Sequence, residues 1–159
     1  MTSIENVLSI RKNAPANARV ALDEFEATPN AASWPDCRFE SLEVVPGKLP
    51  VQCIREVFQE LLFHAQVYQA DTPVTISGKL EEVDVISIGA GHWALTLSIK
   101  SNISEGYTVS ARYNFDAAWR HDLACRVAAA AFAPAVEKLF EQVVNHPGFS
   151  GLFTGSRTG

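Results

Sequence analysis

The stretch Trp93-Ala94-Leu95-Thr96-Leu97-Ser98-Ile99 decides the fold class, because large apolar residues alternate strictly with small or polar ones. A period of two places the apolar side chains on one face of a β-strand and the others on the opposite face. After a turn at 101–106 the pattern returns, with apolar residues at Tyr107, Val109, Ala111, Tyr113 and Phe115. The two segments predict neighbouring antiparallel strands with one apolar and one solvated face.

The segment before this pair predicts a third strand with an irregularity. Two sets of apolar residues follow one another with opposite parity, namely Val74, Ile76 and Leu80, then Val83 and Val85. A one-residue slip moves side chains to the other face of a sheet, so we expect a β-bulge near Glu81-Glu82. Residues 74–115 are therefore interpreted as a three-stranded meander.

Two segments predict amphipathic helices. Residues 50–69 begin with a proline and carry apolar residues three and four positions apart, at Ile54, Phe58, Leu61, Leu62 and Ala65. The last helix starts near 119–123, presents a broad apolar face and ends at His146-Pro147-Gly148. Pro134 lies inside it, and we expect a bend there because proline removes a backbone hydrogen bond.

Weaker alternation at 19–25 and 37–45 predicts two further strands at the front of the chain. The predicted fold class is α+β, with an antiparallel sheet of about four to five strands. Two amphipathic helices pack on one of its faces, in the order β-β-α-β-β-β-α. Residues 1–17 are interpreted as a flexible N-terminal arm, 18–153 as a single domain and 154–159 as a disordered tail.

Composition excludes several classes of protein. With 159 residues, 47% of them hydrophobic, the chain has enough apolar material for one core. A net charge of −5 without a basic stripe argues against a nucleic-acid partner. The longest apolar run, 127–136, is too short for a transmembrane segment. The first residues lack the pattern of a secretory signal, which read literally indicates the cytoplasm.

No residue pattern indicates a catalytic site, a metal site or a cofactor, so we expect a protein that is not an enzyme. The four histidines lack partners at ligand spacing, and Cys53 and His64 lie too far apart along one helix to act as a nucleophile and its base. Glu81, Glu82 and Asp84 are interpreted as a solvated strand face. One pocket is conceivable, between the sheet and the last helix, lined by Trp93, Tyr113 and Phe132.

The three cysteines are too few and too widely spaced for a zinc site. Cys53 is interpreted as a small buried apolar residue. Cys37 and Cys125 each lie beside an arginine at the edge of an element, and they are either buried thiols or a bridged pair. A bridge would close a long loop and would place the protein in an oxidising compartment.

Several motifs between residues 74 and 153 resemble those of small, mostly uncharacterised envelope lipoproteins or periplasmic proteins of Gram-negative bacteria. They are Thr75-Ile76-Ser77-Gly78-Lys79-Leu80, Gly91-His92-Trp93-Ala94-Leu95-Thr96-Leu97, Ala124-Cys125, Ala131-Phe132-Ala133-Pro134-Ala135-Val136 and His146-Pro147-Gly148-Phe149, with Cys37-Arg38 upstream. In its order of elements this family is similar to modules of secretion-channel and flagellar accessory lipoproteins. The motifs are structural, and none is tied to an activity.

The resemblance implies a disulfide between Cys37 and Cys125. It also implies a periplasmic or outer-membrane-associated location if a signal sequence has been removed. The expected function is a non-enzymatic accessory or protein-interaction domain, whose partner is another envelope protein or a second copy of itself. The alternative is a carrier of a small apolar ligand, held in the pocket between the sheet and the C-terminal helix.

Overall fold

A computed structural model describes residues 3–117 and 120–155, without the side chains of residues 121 and 122. The described chain is an α+β fold with one large sheet and several helices. Its elements are α1 (Ile4–Asn13), β1 (Ala21–Ala27), a 3₁₀ turn (Pro29–Ala31), β2 (Asp36–Cys37), β3 (Glu40–Ser41), α2 (Pro50–His64), β4 (Thr75–Ile86), β5 (Ala90–Ser101), β6 (Ser104–Asp116), α3 (His121–Ala130), α4 (Phe132–Val144) and α5 (Phe149–Thr154).

The large sheet has the strand order β1-β4-β5-β6. Strands β4, β5 and β6 form the predicted antiparallel meander, whereas β1 pairs with β4 in parallel. The sheet is therefore mixed, and the prediction of a purely antiparallel sheet was wrong. The connection through α2 explains the difference, because a helix between two strands brings the chain back to the same end of the sheet.

The predicted faces of the meander are confirmed. Trp93, Leu95, Leu97 and Ile99 are at most 1% exposed, and the residues between them face the other side. The register of β4 against β5 shifts between Leu80 and Glu82, at the expected bulge. Glu81 and Glu82 therefore both point away from the core while Val83 and Val85 return to it.

Helices α1, α2, α4 and α5 share one hydrophobic core with the apolar face of the sheet. Phe58 of α2 stacks on Phe140 of α4, with ring centroids 4.9 Å apart. Trp93 of β5 packs edge-on against Phe132 and donates from Nε1 to the carbonyl of Ala128 at 2.8 Å. Among the described helices, none combines the length and the apolar content required to span a bilayer.

The N-terminus corrects the prediction of a flexible arm at 1–17, since α1 is docked on the domain. Ile10 is fully buried, and Asn6 is 3% exposed. The side chain of Asn6 donates to the carbonyl of Glu137, and that of Asn13 donates to the carbonyl of Val144. A buried asparagine within the packing face interrupts the apolar period, which explains why the helix was not predicted.

The second predicted strand, 37–45, is mostly irregular. Only a short hairpin forms, with two residues in each strand. Its strands, β2 and β3, pair with each other and not with the large sheet. Arg38 has a φ of 64°, so the chain turns back immediately after Cys37. Apolar and polar residues keep alternating in the sequence after this turn, but the backbone of residues 42–45 is not a β-strand.

Helix α2 ends earlier than predicted, and the last helix is interrupted where a bend was predicted. Helix α2 ends at His64, where Gln66 adopts a φ of 64° and the amide of Val67 bonds to the carbonyl of Leu62. The left-handed residue after a helix is usually glycine, so a glutamine at this position did not indicate the end of the helix. The last helix is divided at Ala131 into α3 and α4, which places Pro134 in the first turn of α4. Proline is tolerated there because the first amides of a helix have no intrahelical partner.

The predicted tail, 154–159, falls mostly outside the described residues. Thr154 is the last residue of α5, and Gly155 follows it with a left-handed backbone conformation at φ 71°. Residues 156–159 lie beyond the part of the chain that the structure describes.

Candidate interaction surface

The face of the large sheet opposite the core is polar and open to solvent. Its side chains belong to three strands: Ser77, Lys79, Glu81, Glu82 and Asp84 of β4, His92, Thr96, Ser98 and Lys100 of β5, and Thr108, Ser110, Arg112 and Asn114 of β6. Antiparallel sheets commonly keep one face solvated in this way. We call it the open face.

A first row of hydrogen bonds crosses the open face from β4 to β6. Thr96 Oγ1 donates to Glu82 Oε1 at 3.2 Å and lies 2.9 Å from Ser110 Oγ. A hydroxyl group has one hydrogen, and Thr96 gives it to the carboxylate. Ser110 must therefore donate to Thr96, which leaves the oxygen of Ser110 as an acceptor at the β6 side.

A second row repeats this order one step along the sheet. Ser98 Oγ donates to Glu81 Oε2 at 3.0 Å and lies 2.7 Å from Thr108 Oγ1. The two rows orient their side chains, but neither brings a histidine to a hydroxyl group. His92 instead lies 3.1 Å from the guanidinium of Arg112. The arrangement is that of an ordered polar surface.

The β1 edge of the sheet is occupied at its start, from Val20 to Asp23. Val20, just before β1, exchanges backbone hydrogen bonds with Val67 and Gln69. Further along, Arg55 of α2 donates from Nε to the carbonyl of Asp23 at 2.9 Å and from Nη2 to that of Leu22 at 3.0 Å. An arginine fork thus covers the carbonyl groups that another strand would need.

The β6 edge is longer and less covered. Lys138 of α4 donates to the carbonyl of Arg112 at 2.9 Å, which shows that this carbonyl points outward. In an antiparallel strand alternate residues direct their backbone groups to the neighbouring strand. Thr108, Ser110 and Asn114 share the parity of Arg112, so their backbone groups also face outward. Within the described residues, no backbone hydrogen bond outside the sheet engages these groups.

A shallow groove of about 420 Å³ lies at the side of Tyr113, on the core side of the β6 edge. Tyr113 is half-buried, and Lys138 contributes to the wall. The remaining lining residues come from α1 and α4 and include Asn6, Pro134 and three carboxylates, Glu5, Glu137 and Glu141. The groove offers space for side chains of a segment that runs along β6.

The residues of the predicted apolar pocket do not enclose a common cavity. Trp93 is fully buried and Phe132 is 5% exposed, and their rings are in contact at a centroid distance of 5.0 Å. Trp34 packs against the other side of Phe132, also at 5.0 Å. Tyr113 is the cross-strand neighbour of Trp93 and lines the groove beside the β6 edge. The space between Trp93 and Phe132, in which an apolar ligand was expected, is filled by the two rings themselves.

The structure shows the disulfide between Cys37 and Cys125, which joins the β2–β3 hairpin to α3 across 88 residues of sequence. Ser87, in the turn between β4 and β5, places its hydroxyl oxygen 3.6 Å from the Cys37 sulfur. Three separate segments therefore meet at this bond. A structural disulfide indicates an oxidising environment.

The other candidate chemical groups remain apart. Cys53 is a free, buried thiol, and burial raises its pKa. His146 stacks on Tyr107 with ring centroids 3.9 Å apart, and its Nδ1 accepts from the amide of Gly148. His64 is exposed beside Phe63. The side chains of His121 and Asp122 lie outside the described residues, and no cluster in the described part could hold a metal ion.

Sequence reasoning missed Arg55 and Lys138, the two residues that distinguish the sheet edges. Each lies on the polar side of its helix and looks like an ordinary solvated cation. No sequence signal marks either residue, because the sequence does not show which strands form the edges or which helix lies beside them.

Comparison with solved structures supports the fold. The crystal structure of protein XCC0632 from Xanthomonas campestris, described by the family model DUF330, has a TM-score of 0.55 and 12% sequence identity over 87% of this chain and 91% of that chain. A structure described as an uncharacterized protein has a TM-score of 0.42 and 11% identity over 82% and 95% of the two chains. No family model matches the sequence, and no curated protein matches it. At such low identity the likeness concerns the fold alone.

Proposed function

We propose that this protein is a non-enzymatic accessory domain of the cell envelope that binds a partner protein by accepting an extended segment along β6. The β6 edge carries the proposal, because a strand of 13 residues offers outward backbone groups at Thr108, Ser110 and Asn114. Extended peptides bind to exposed sheet edges through main-chain hydrogen bonds, while alternate side chains provide specificity.

The surroundings of β6 define the chemistry of the segment. Side chains on the core side of an added strand would lie next to Tyr113 and Phe115, which are half-buried. Side chains on the other side would lie next to Thr108 and Ser110, whose hydroxyl oxygens are available as acceptors. A segment that alternates apolar residues with hydrogen-bond donors satisfies both sides.

Two observations support an envelope accessory protein without enzymatic activity. The Cys37–Cys125 disulfide suits a compartment outside the reducing cytosol. The polar groups of the open face are bonded to one another, in rows that orient a surface and leave no aligned nucleophile and base. The partner's identity is left open between another envelope protein and a second copy of the chain.

A peptide selection tests the proposal directly. A displayed library of 12-residue peptides is selected on the oxidised protein, and the best binder is measured by fluorescence anisotropy. We expect alternating apolar and polar sequences, with amide protection from hydrogen exchange at residues 108, 110 and 114. Ser110→Pro removes one outward amide without breaking a bond to β5, and it should weaken binding about tenfold or more.

The matched control is Ser110→Thr, which keeps both the hydroxyl group and the backbone amide. It should bind the peptide within about twofold of the wild type, because the groups proposed to contact the peptide are retained. Equal losses in both variants, or peptide contacts that map away from β6, would contradict strand addition. Thermal unfolding of each variant verifies that the domain remains folded.

A further inference from the structure

The groove on the core side of the β6 edge has an acidic wall. Its described lining includes the carboxylates of Glu5, Glu137 and Glu141 and one ammonium group, that of Lys138. Glu137 is half-buried, and the other two carboxylates are exposed. Three negative charges and one positive charge leave the groove with a negative potential.

The contacts of these charged groups leave the carboxylates available. Within the described residues, no hydrogen bond or ion pair engages the carboxylates of Glu137 and Glu141. The carboxylate of Glu5 accepts from the hydroxyl group of Ser3 at 3.4 Å. The ammonium group of Lys138 donates to a backbone carbonyl of β6 at 2.9 Å and not to a carboxylate. A cation that enters the groove therefore finds carboxylates without a charged partner.

The geometry of a sheet places one side chain of an added segment in this groove. Residues directly opposite one another on neighbouring strands share a face. Trp93 of β5 lies opposite Tyr113, and both side chains are on the core side. In a segment added along the other side of β6, the residue opposite Tyr113 would also lie on the core side. Its side chain would meet the acidic wall formed by α1 and α4.

A lysine or an arginine is the side chain that suits this position. Its aliphatic stem packs beside the half-buried ring of Tyr113, while its charged end reaches the carboxylates. Aromatic rings also attract cations to their faces. An apolar side chain would leave the carboxylates without a partner, and an acidic side chain would be repelled by them.

The same charges argue against a second copy of the chain paired through β6. The core-side residues of β6 are all uncharged, namely Tyr107, Val109, Ala111, Tyr113 and Phe115. Two copies joined edge to edge would bring two acidic walls together, and neither β6 would supply a cation to the groove of the other. The groove therefore fits a segment of a different protein.

We propose that the partner of β6 is a basic segment of another protein, which places a lysine or an arginine opposite Tyr113 and against Glu137 and Glu141. The inference rests on the strand addition proposed above, and it names the position at which the charge of the segment is recognised. The other core-side residues of the segment are apolar, as the half-buried Phe115 requires.

A double-mutant cycle tests this inference. The probe is the best peptide of the selection described above, made with arginine, methionine or glutamate at the residue that shows nuclear Overhauser contacts with Tyr113. The arginine peptide should bind about fivefold more tightly than the methionine peptide, and the glutamate peptide should bind most weakly. Raising the salt from about 0.05 M to about 0.5 M should weaken only the two charged peptides' difference from methionine.

The protein side of the cycle combines Glu137→Gln with Glu141→Gln, which removes two charges and keeps the size of the side chains. In this variant the arginine and methionine peptides should bind within about twofold of each other. The matched control combines Glu24→Gln with Glu26→Gln, two exposed carboxylates on β1 at the opposite edge. It removes the same charge and should keep the fivefold preference. Thermal unfolding verifies the fold of both variants.

The possible failures of the two proposals are distinguishable. Peptides that protect the amides of residues 108, 110 and 114 but bind equally with arginine and methionine would overturn this inference and leave strand addition in place. If no selected peptide protects these amides, both proposals are wrong. A preference for arginine that persists in the Glu137 and Glu141 variant, or disappears in the β1 control, would also overturn the inference. So would a dimer of the chain alone that protects the same amides.

Discussion

Strands β1 and β6 form the two edges of the same sheet, but the contacts that other parts of the chain make with their outward backbone groups differ. At the start of β1, a backbone bridge from Val20 and two hydrogen bonds from Arg55 occupy the outward groups as far as Asp23. At β6, a longer strand, Lys138 bonds to the carbonyl of Arg112, and the described residues show no other such contact. Exposed edges promote unwanted pairing, and proteins usually protect them. The first half of β1 is therefore better protected than β6.

The largest effect is expected at Gly106, which fixes the start of β6. Its φ is 74°, and an added methyl group would collide with the backbone of Ile99. Gly106→Ala should therefore lower the free energy of unfolding by about 3 kcal/mol or more. Urea denaturation measures the loss. Gly89→Ala is the control, since Gly89 has a φ of 65° but open space around it, and it should cost about 1 kcal/mol.

An intermediate loss of unfolding free energy is expected for Arg55, and a smaller one for Lys138. Arg55→Met keeps the apolar stem and removes the two charge-assisted hydrogen bonds to β1 and a third to Gln59, at a cost of about 2 kcal/mol after allowance for solvent screening. Lys138→Met removes one exposed bond and should cost about 0.5 kcal/mol. Urea denaturation of both variants gives the comparison. Equal costs would remove the energetic contrast between the edges.

A smaller effect than that of Arg55→Met concerns Tyr107, whose hydroxyl on the core side of β6 donates to the carbonyl of Val143 at 2.6 Å. Tyr107→Phe should cost about 1 kcal/mol near neutral pH. Burial raises the pKa of Tyr107, so the folded protein keeps the proton that the unfolded chain loses above about pH 10. The stability advantage of the wild type is therefore complete below pH 10 and declines above it.

Denaturation of the wild type and the Tyr107→Phe variant between pH 8 and pH 11 measures this decline. The difference in unfolding free energy should shrink by at most about 1.4 kcal/mol per pH unit above pH 10. A difference that stays constant over this range would mean that Tyr107 ionises in the folded protein as it does in the unfolded chain.

Local pattern predicted the meander well and its surroundings poorly. The alternation at 93–99 and the change of parity at Glu81-Glu82 are properties of adjacent residues, and the structure confirms both. The parallel pairing of β1 with β4 joins segments about fifty residues apart. Alternation carries no information about strand direction, so the mixed sheet could not be predicted.

Residues that break a local rule account for the other differences. Arg38 and Gln66 adopt a left-handed backbone conformation that glycine usually occupies. Arg38 follows a strand and Gln66 follows a helix, but neither residue type indicates that an element ends there. Asn6 replaces an apolar residue on the packing face of α1. For the candidate surface, the polar side chains of the open face were predicted, but Arg55 and Lys138 depend on which strands form the edges.

The oxidation state of Cys37 and Cys125 depends on the redox conditions to which each molecule has been exposed. Cys37 is synthesised 88 residues before its partner, so the two sulfurs meet only after almost the whole domain has been made. A chain kept under reducing conditions would lack the covalent link between the β2–β3 hairpin and α3, so only packing would hold the hairpin in place.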